Sequence, residues 1–390
     1  MRAPFLALAA PGILFSLLFA LAAPQAPPLP LGRVIAGYLP AWSDFDPRII
    51  DGSKLTFVIY AFAGVSPKGL CSPGDLQDDI QDGFARLASL KARYPGLKFL
   101  VSVGGWTGSR WFTRAARSPG TFADSCVSLF LEEGIFDGID IDWEFPVEGG
   151  SFRGDPADKR NFTLLVRELR RRLDELGARR GKYYFLSIAG GANPNFIFRN
   201  TELARIAQYV DFIIVMAYDF HGPWEKVTNF NAPLYPTASD PSPNPVDYTV
   251  DGTVRNYLAA GVPPEKILLG IPFYGHSWRG VQDENEGLYQ PAAGPGPGTK
   301  EPGNLSFWDI AAHYERPFRK HFHPEALVPW LFNGDIFISY EDQESVALKA
   351  RYIKAQGLLG AAVWELTADI PGAPEGSLLQ ALHSVLYVDP

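Results

Sequence analysis

Residues 137–146 read DGIDIDWEFP, a run that sets four acids among two isoleucines and a tryptophan. In an extended strand successive side chains alternate between faces, so Asp140, Asp142 and Glu144 fall on one side and Ile139, Ile141 and Trp143 on the other. Taken alone, the pattern fits an antiparallel strand with its acids in water and its apolar face on a core. It also fits a strand whose acids face a protected cavity, where burial and mutual repulsion change their proton affinity. The surrounding sheet decides between the two.

Apolar runs of strand length recur along the chain: RVIAGYLPAW (33–42), KLTFVIYAFA (54–63), KFLVSVGGW (98–106), the opening segment, YYFLSIAGGA (183–192), VDFIIVMAYDF (210–220), KILLGIPFYG (266–275) and GLLGAAVWEL (357–366). Between them lie stretches of helical period such as DIQDGFARLASLKARY, TFADSCVSLFLEEG, ADKRNFTLLVRELRRRLDELG and ESVALKARYIKAQ. Most of the strand segments are apolar on both faces, as in parallel strands covered by helices. Strands alternating with helices in this way predict an α/β fold, a (β/α)8 TIM barrel. In such a barrel helices cover the outside, so Ile139, Ile141 and Trp143 point outward and the acids point in. Three ionised carboxylates left unpaired there would cost several kcal/mol each, so they must share protons and hydrogen bonds. Glu144 comes last, at the strand's C-terminal end, where barrel active sites lie. Asp137 falls on the opposite side and reads as structural.

One interval breaks the rhythm. About 65 residues, 277–341, separate the seventh strand from the next helix, far more than a normal βα connection. The interval holds a Gly/Pro-rich portion (PAAGPGPGTKEPGN), a short helical stretch (SFWDIAAHYE) and strand-like pieces (DIFISYE), and is expected to form a small α+β insertion on the active-site face. The barrel is then expected over 33–276 and 342–390.

Composition narrows the function. The 390 residues are 46% hydrophobic, and 43 acids outnumber 35 bases for a net charge of −8. That balance gives neither the basic footprint of a nucleic-acid binder nor an attraction to anionic lipid, and it suits an uncharged substrate. Aromatic residues reach 13%, with nine Trp, enough to supply binding surfaces as well as core. Residues 1–23 have an early Arg, an apolar stretch and small residues at Ala20 and Ala22, the form of a secretory signal peptide; a Pro-rich spacer follows over 24–32. The mature chain is thus expected to be extracellular, free of the membrane, and monomeric. Asn161 and Asn304 open Asn-X-Ser/Thr tripeptides that accept N-glycans in a eukaryotic source. Cys71 and Cys126 are the only cysteines; a secreted chain can pair them or leave them free, and their isolation argues against structural zinc.

The pattern Asp-x-x-Asp-x-Asp-x-Glu at Asp137, Asp140, Asp142 and Glu144 resembles the signature of glycoside hydrolase family 18, the chitinases and their relatives. SVGGW (Ser102 to Trp106), MAYDFHG (Met216 to Gly222), PFYG (Pro272 to Gly275) and VWEL around Trp364 resemble further elements of that family in the same order, and the insertion matches its subgroup with an α+β domain. Phe145 departs from the tyrosine many members carry.

The resemblance implies a secreted chitinase that cleaves β-1,4 bonds between N-acetylglucosamine units with retention. Alternatives are an endo-β-N-acetylglucosaminidase on N-glycans and a non-catalytic chitin-binding lectin. Family 18 departs from the usual pair of carboxylates because the sugar's own acetamido carbonyl is the nucleophile. By resemblance Glu144 is the general acid, Asp142 orients the acetamido N–H, and Tyr218 donates to the acetamido oxygen. Asp140, with Ser102 and Tyr38, forms the network behind. Gly104, Gly105, Trp106, Phe145, Met216, Asp219, Trp224, Tyr274 and Trp364 are implied to line the substrate, with Trp364 as the floor. No cofactor is expected. One strand supplies only part of a Mg²⁺ or Ca²⁺ shell, so no metal is expected either. The HFH run at His321 to His323 reads as an insertion surface feature.

Overall fold

The computed structural model describes residues 24–387 apart from 44, 78–81, 133 and 373–374. Residues 1–23, read from the sequence as a signal peptide, lie outside the described residues.

Eight parallel strands close on themselves: β1 (Val34–Pro40), β2 (Phe57–Val65), β3 (Lys98–Gly104), β4 (Gly138–Asp142), β5 (Phe185–Gly191), β6 (Phe212–Met216), β7 (Ile267–Pro272) and β8 (Gly360–Trp364). Each pairs with its neighbours in chain order, and β1 pairs with both β2 and β8 to complete the barrel. Every segment read as a strand from the sequence is one of these eight. Helices over Asp82–Arg93, Pro119–Cys126, Asp158–Arg180, Val250–Ala259 and Gln343–Ala355 return the chain between strands. Their ends carry the expected signals. Asp342 and Ser345 form a reciprocal capping box, and Gly181 closes the long helix at a φ of 64° that glycine adopts without penalty.

Alternation along each strand divides the apolar residues into two cores. Val34, Ala36, Phe57, Ile59, Phe212 and Ile214 pack inside the barrel with Phe185, which meets Phe57 edge-on at 5.0 Å. Ile139, Ile141 and Trp143 belong to the larger core between strands and helices, where Trp143 stacks on Phe112 at 5.2 Å. Each such buried side chain contributes about 1.5–3 kcal/mol. The outward orientation of these three residues fixes the inward orientation of the acids. Asp137 stays outside that set: it accepts from Lys182 at 2.7 Å, Lys91 at 3.0 Å and the Phe99 amide at 3.0 Å. These partners hold its carboxyl below the usual range despite burial.

The long interval after β7 carries an antiparallel sheet of six strands whose central strand, Tyr274–Arg279, pairs with Phe337–Ser339 and Asn304–Ser306. The sheet begins at Tyr274 rather than Ser277, because a one-residue bend at Phe273, after Pro272, carries the chain from β7 straight into it. Cys71 and Cys126 are disulfide-bonded, tying the short strand Cys71–Ser72 to the helix Pro119–Cys126. None of the described helices is long and apolar enough to cross a membrane.

Candidate active site

The acids of β4 meet polar side chains from neighbouring strands at matching heights. Ser102 of β3 and Ser187 of β5 are the register partners of Asp140. Both hydroxyls donate to it at 2.7 Å, and the Tyr38 hydroxyl adds a third bond at 3.0 Å. Asp140 is fully buried, and burial raises its proton affinity although the three hydroxyls oppose the rise. Ser187 was not singled out in the sequence, yet a lone hydroxyl inside the apolar run FLSIAGG was its signal.

Asp142 lies one pleat higher. Its Oδ1 is buried with no protein hydrogen-bond partner. Burial, then the charge of Glu144, then that of Asp140, push its proton affinity well above the carboxylate range. Such an oxygen is an acceptor waiting for a donor from outside the protein. Glu144 follows just past the strand end. Burial, with Asp219 as the next cause, raises its carboxyl to about 8, so it carries a proton at neutral pH. Like charges two residues apart on one strand were the repulsion visible in the sequence; for Glu144 the charged neighbour named by the structure comes instead from the loop after β6.

That loop is held in an uncommon backbone shape. Asp219 has a φ of 58°, and its amide donates to Asn231 Oδ1 at 2.8 Å. Its Oδ1 accepts from the Tyr274 hydroxyl at 2.5 Å and lies 2.8 Å from His276 Nε2, both residues of the insertion's first strand. Tyr218 is half-buried beside Tyr274, with ring centres 6.2 Å apart. Burial and the surrounding carboxylates keep its phenol protonated well above the ordinary range, leaving it a hydrogen-bond donor. Gly270 of β7 makes room for that ring: a Cβ there would stand 2.8 Å from Tyr218.

Aromatic rings surround the acids. Trp364, at the end of β8, meets Tyr38 at 5.3 Å and stacks on Phe62 at 5.6 Å and 18°. Trp42, just past β1, continues the row at 6.0 Å from Phe62 and is 51% exposed. Trp106 and Trp224 are 51% and 60% exposed. Trp106 lies edge-on to Phe145 at 6.4 Å, and Trp224 edge-on to His276 at 5.1 Å. Met216 ends β6, half-buried. Phe62 and Trp42 were missed in the sequence; an indole directly beyond a strand's C-terminal end was the available clue.

Gly104 and Gly105 sit in the backbone packing behind the acids. Gly104 has a φ of 125°, and a Cβ on it would lie 2.0 Å from the Asp142 carbonyl oxygen. Gly105, at a φ of 81°, donates its amide to that same oxygen at 2.9 Å. The paired glycines therefore let β3 close against the end of β4. Among the described residues no group of three or more His, Cys, Asp or Glu side chains converges to hold a metal ion.

A parallel barrel bearing a protonated acid at the C-terminal end of β4, backed by buried carboxylates and flanked by exposed indoles, has the layout of a glycoside hydrolase. The chain belongs to glycosyl hydrolases family 18, whose family model matches residues 34–369. It is 38% identical to Chitinase A1 of Niallia circulans, over 86% of this chain and 56% of that protein. It is also 38% identical to Chitotriosidase-1 of Mus musculus, over 85% of this chain and 72% of that one. The solved structure of Chitinase ChiA74 from Bacillus thuringiensis superposes with a TM-score of 0.83 at 35% identity, covering 91% of this chain and 69% of that one. The chain thus spans little more than half the length of Chitinase A1.

Proposed function

We propose that this protein hydrolyses β-1,4 linkages between N-acetylglucosamine units of chitin, with the substrate's own acetamido group as nucleophile. The observation that carries the reading is the pair at the end of β4: Glu144 holds a proton at neutral pH, and Asp142 before it presents a buried oxygen with no partner in the protein. A two-carboxylate mechanism needs a second acid as nucleophile or base. Here the second acid is better suited to binding an N–H. Glu144 gives its proton to the glycosidic oxygen as the bond from that oxygen to the anomeric carbon breaks, the acetamido carbonyl closes on that carbon, and Asp142 accepts the acetamido N–H and stabilises the cyclic oxazolinium ion, which water then opens as Glu144 takes back a proton. Tyr218 donates to the acetamido oxygen. Asp140, held by Tyr38, Ser102 and Ser187, supports Asp142 from below.

Trp364 and Trp42, with buried Phe62 packed between them, offer flat apolar faces to sugar rings, with Trp106 and Trp224 flanking the other side. Secretion is part of the same proposal. The disulfide between Cys71 and Cys126 agrees with an oxidising compartment. The test is product analysis on chitohexaose beside a high-mannose glycoprotein. The reading expects shorter chito-oligosaccharides released first as the β-anomer, and an inverted product in the NMR spectrum would exclude the acetamido route.

A further inference from the structure

Among the described residues the Glu144 carboxyl accepts no hydrogen bond from the protein. The bond this residue does make runs from its backbone N–H to the Ser109 hydroxyl, at 2.8 Å. A side chain without a lateral tether stands where its backbone puts it. Ser109 lies in the tight turn Gly108–Trp111 after β3 and is 4% exposed. Its own proton lies toward the carbonyl oxygens of Gly105 at 2.8 Å and Asp142 at 3.3 Å. One buried oxygen therefore joins the end of β3, the last residue of β4 and the residue that carries the acid.

The far side of Glu144 is held by a second buried group reached from the same turn. The helix Phe112–Ala116 follows it directly, and there Thr113 donates to Asp158 Oδ2 at 2.8 Å. That oxygen also takes the amides of Asp155 at 2.8 Å and Val147 at 3.4 Å, and Asp158 is fully buried. Val147 has a φ of 70°, which a β-branched residue rarely adopts unless its surroundings impose it. The loop leaving Glu144 is thus held against its local preference.

We infer that Ser109 is a positioning residue for the proton donor: its hydroxyl fixes the Glu144 backbone from the strand side, while Asp158 anchors the loop beyond. This rests on the hydrolase reading above for the acid's role. Hydrogen bonding at the backbone sets where the carboxyl stands, and a misplacement of about 1 Å in a reacting group costs about 100-fold in rate.

The test compares Ser109→Ala and Ser109→Thr with the wild-type chain in two measurements, turnover of a soluble chito-oligosaccharide and NMR titration of the Glu144 carboxyl. Ser109→Ala is expected to lower kcat about 10- to 100-fold with KM within about threefold, since the loss falls on the chemical step. Its Glu144 midpoint is expected below the wild-type value of about 8, because a carboxyl free to swing toward water loses the burial that raises it. Ser109→Thr keeps a hydroxyl and restores both. An alanine variant with wild-type kcat and an unchanged midpoint overturns the inference. So does a loss that follows only the unfolded fraction, with the midpoint unmoved. Should the wild-type chain fail to cleave the oligosaccharide, the hydrolase reading falls, and the carboxyl titration still decides for or against Ser109.

Discussion

Replacing Glu144 with glutamine should make the protein more stable while abolishing its chemistry, and the gain should depend on pH in a way fixed by the site. Folding lifts the Glu144 carboxyl from its ordinary value of 4.5 to about 8, chiefly through burial. A carboxyl whose proton affinity is higher in the folded state costs stability once the unfolded chain ionises. The cost is absent below the unfolded value, grows as pH rises between the two values, and levels off above the folded one. Integrating the linkage relation gives almost nothing at pH 4, about 3 kcal/mol at pH 7 and about 5 kcal/mol near pH 9. Glutamine has nearly the same shape and does not titrate, so Glu144→Gln removes this cost. Urea unfolding of both proteins at several pH values measures it. The expected result is two curves that coincide near pH 4 and separate by about 3 kcal/mol at neutral pH, alongside a loss of kcat of at least about 100-fold. A stability difference that stays constant with pH would refute the reasoning, because it would mean that the Glu144 carboxyl is not raised by folding.

The remaining predictions address the neighbours. Asp219→Asn removes a negative charge that helps keep Glu144 protonated, so the basic limb of kcat/KM, expected at about 8 in the wild-type protein, should move to lower pH; a pH–rate profile shows it. Ser187→Ala deletes one of three hydroxyl donors to a buried carboxylate, costing about 1.5–3 kcal/mol, and should lower kcat about 10- to 100-fold in steady-state assays. Trp42→Ala should weaken binding of long chito-oligosaccharides up to about tenfold and leave the shortest cleavable one unaffected, measured as KM against chain length. Cys71→Ser with Cys126→Ser should lower unfolding stability by about 2–4 kcal/mol without changing kcat, as read by urea titration.

The barrel was legible because its strands are apolar on both faces, and the direction of the acids followed from that fact alone. Ile139, Ile141 and Trp143 need a helix-covered core, which leaves Asp140, Asp142 and Glu144 only the interior. Residues brought in by loops were less legible. Ser109 sits in a turn of unremarkable composition, and only the folded chain shows its hydroxyl under the Glu144 amide. His276 belongs to a strand of the insertion, and its approach to Asp219 depends on how that sheet folds over the barrel. Gly104 and Gly105 read from their motif as lining for the substrate; their φ values and contacts give them the closer duty of packing β3 against β4. The insertion's sheet starts at Tyr274, not Ser277: a single bend residue after Pro272 replaces the loop that would mark the change of sheet.

That seamless junction has a mechanical consequence. Phe273 alone links the barrel to the insertion's first strand; its amide is bonded to the Trp364 carbonyl oxygen at 2.8 Å and its carbonyl oxygen to the Phe307 amide at 3.0 Å. A joint with its single residue stitched on both sides has no slack, so Tyr274 and His276 cannot swing away as a jaw would. On the proposed reading, a chitin chain meets Tyr274 and His276 as parts of a fixed wall, and its fit to that wall sets selectivity.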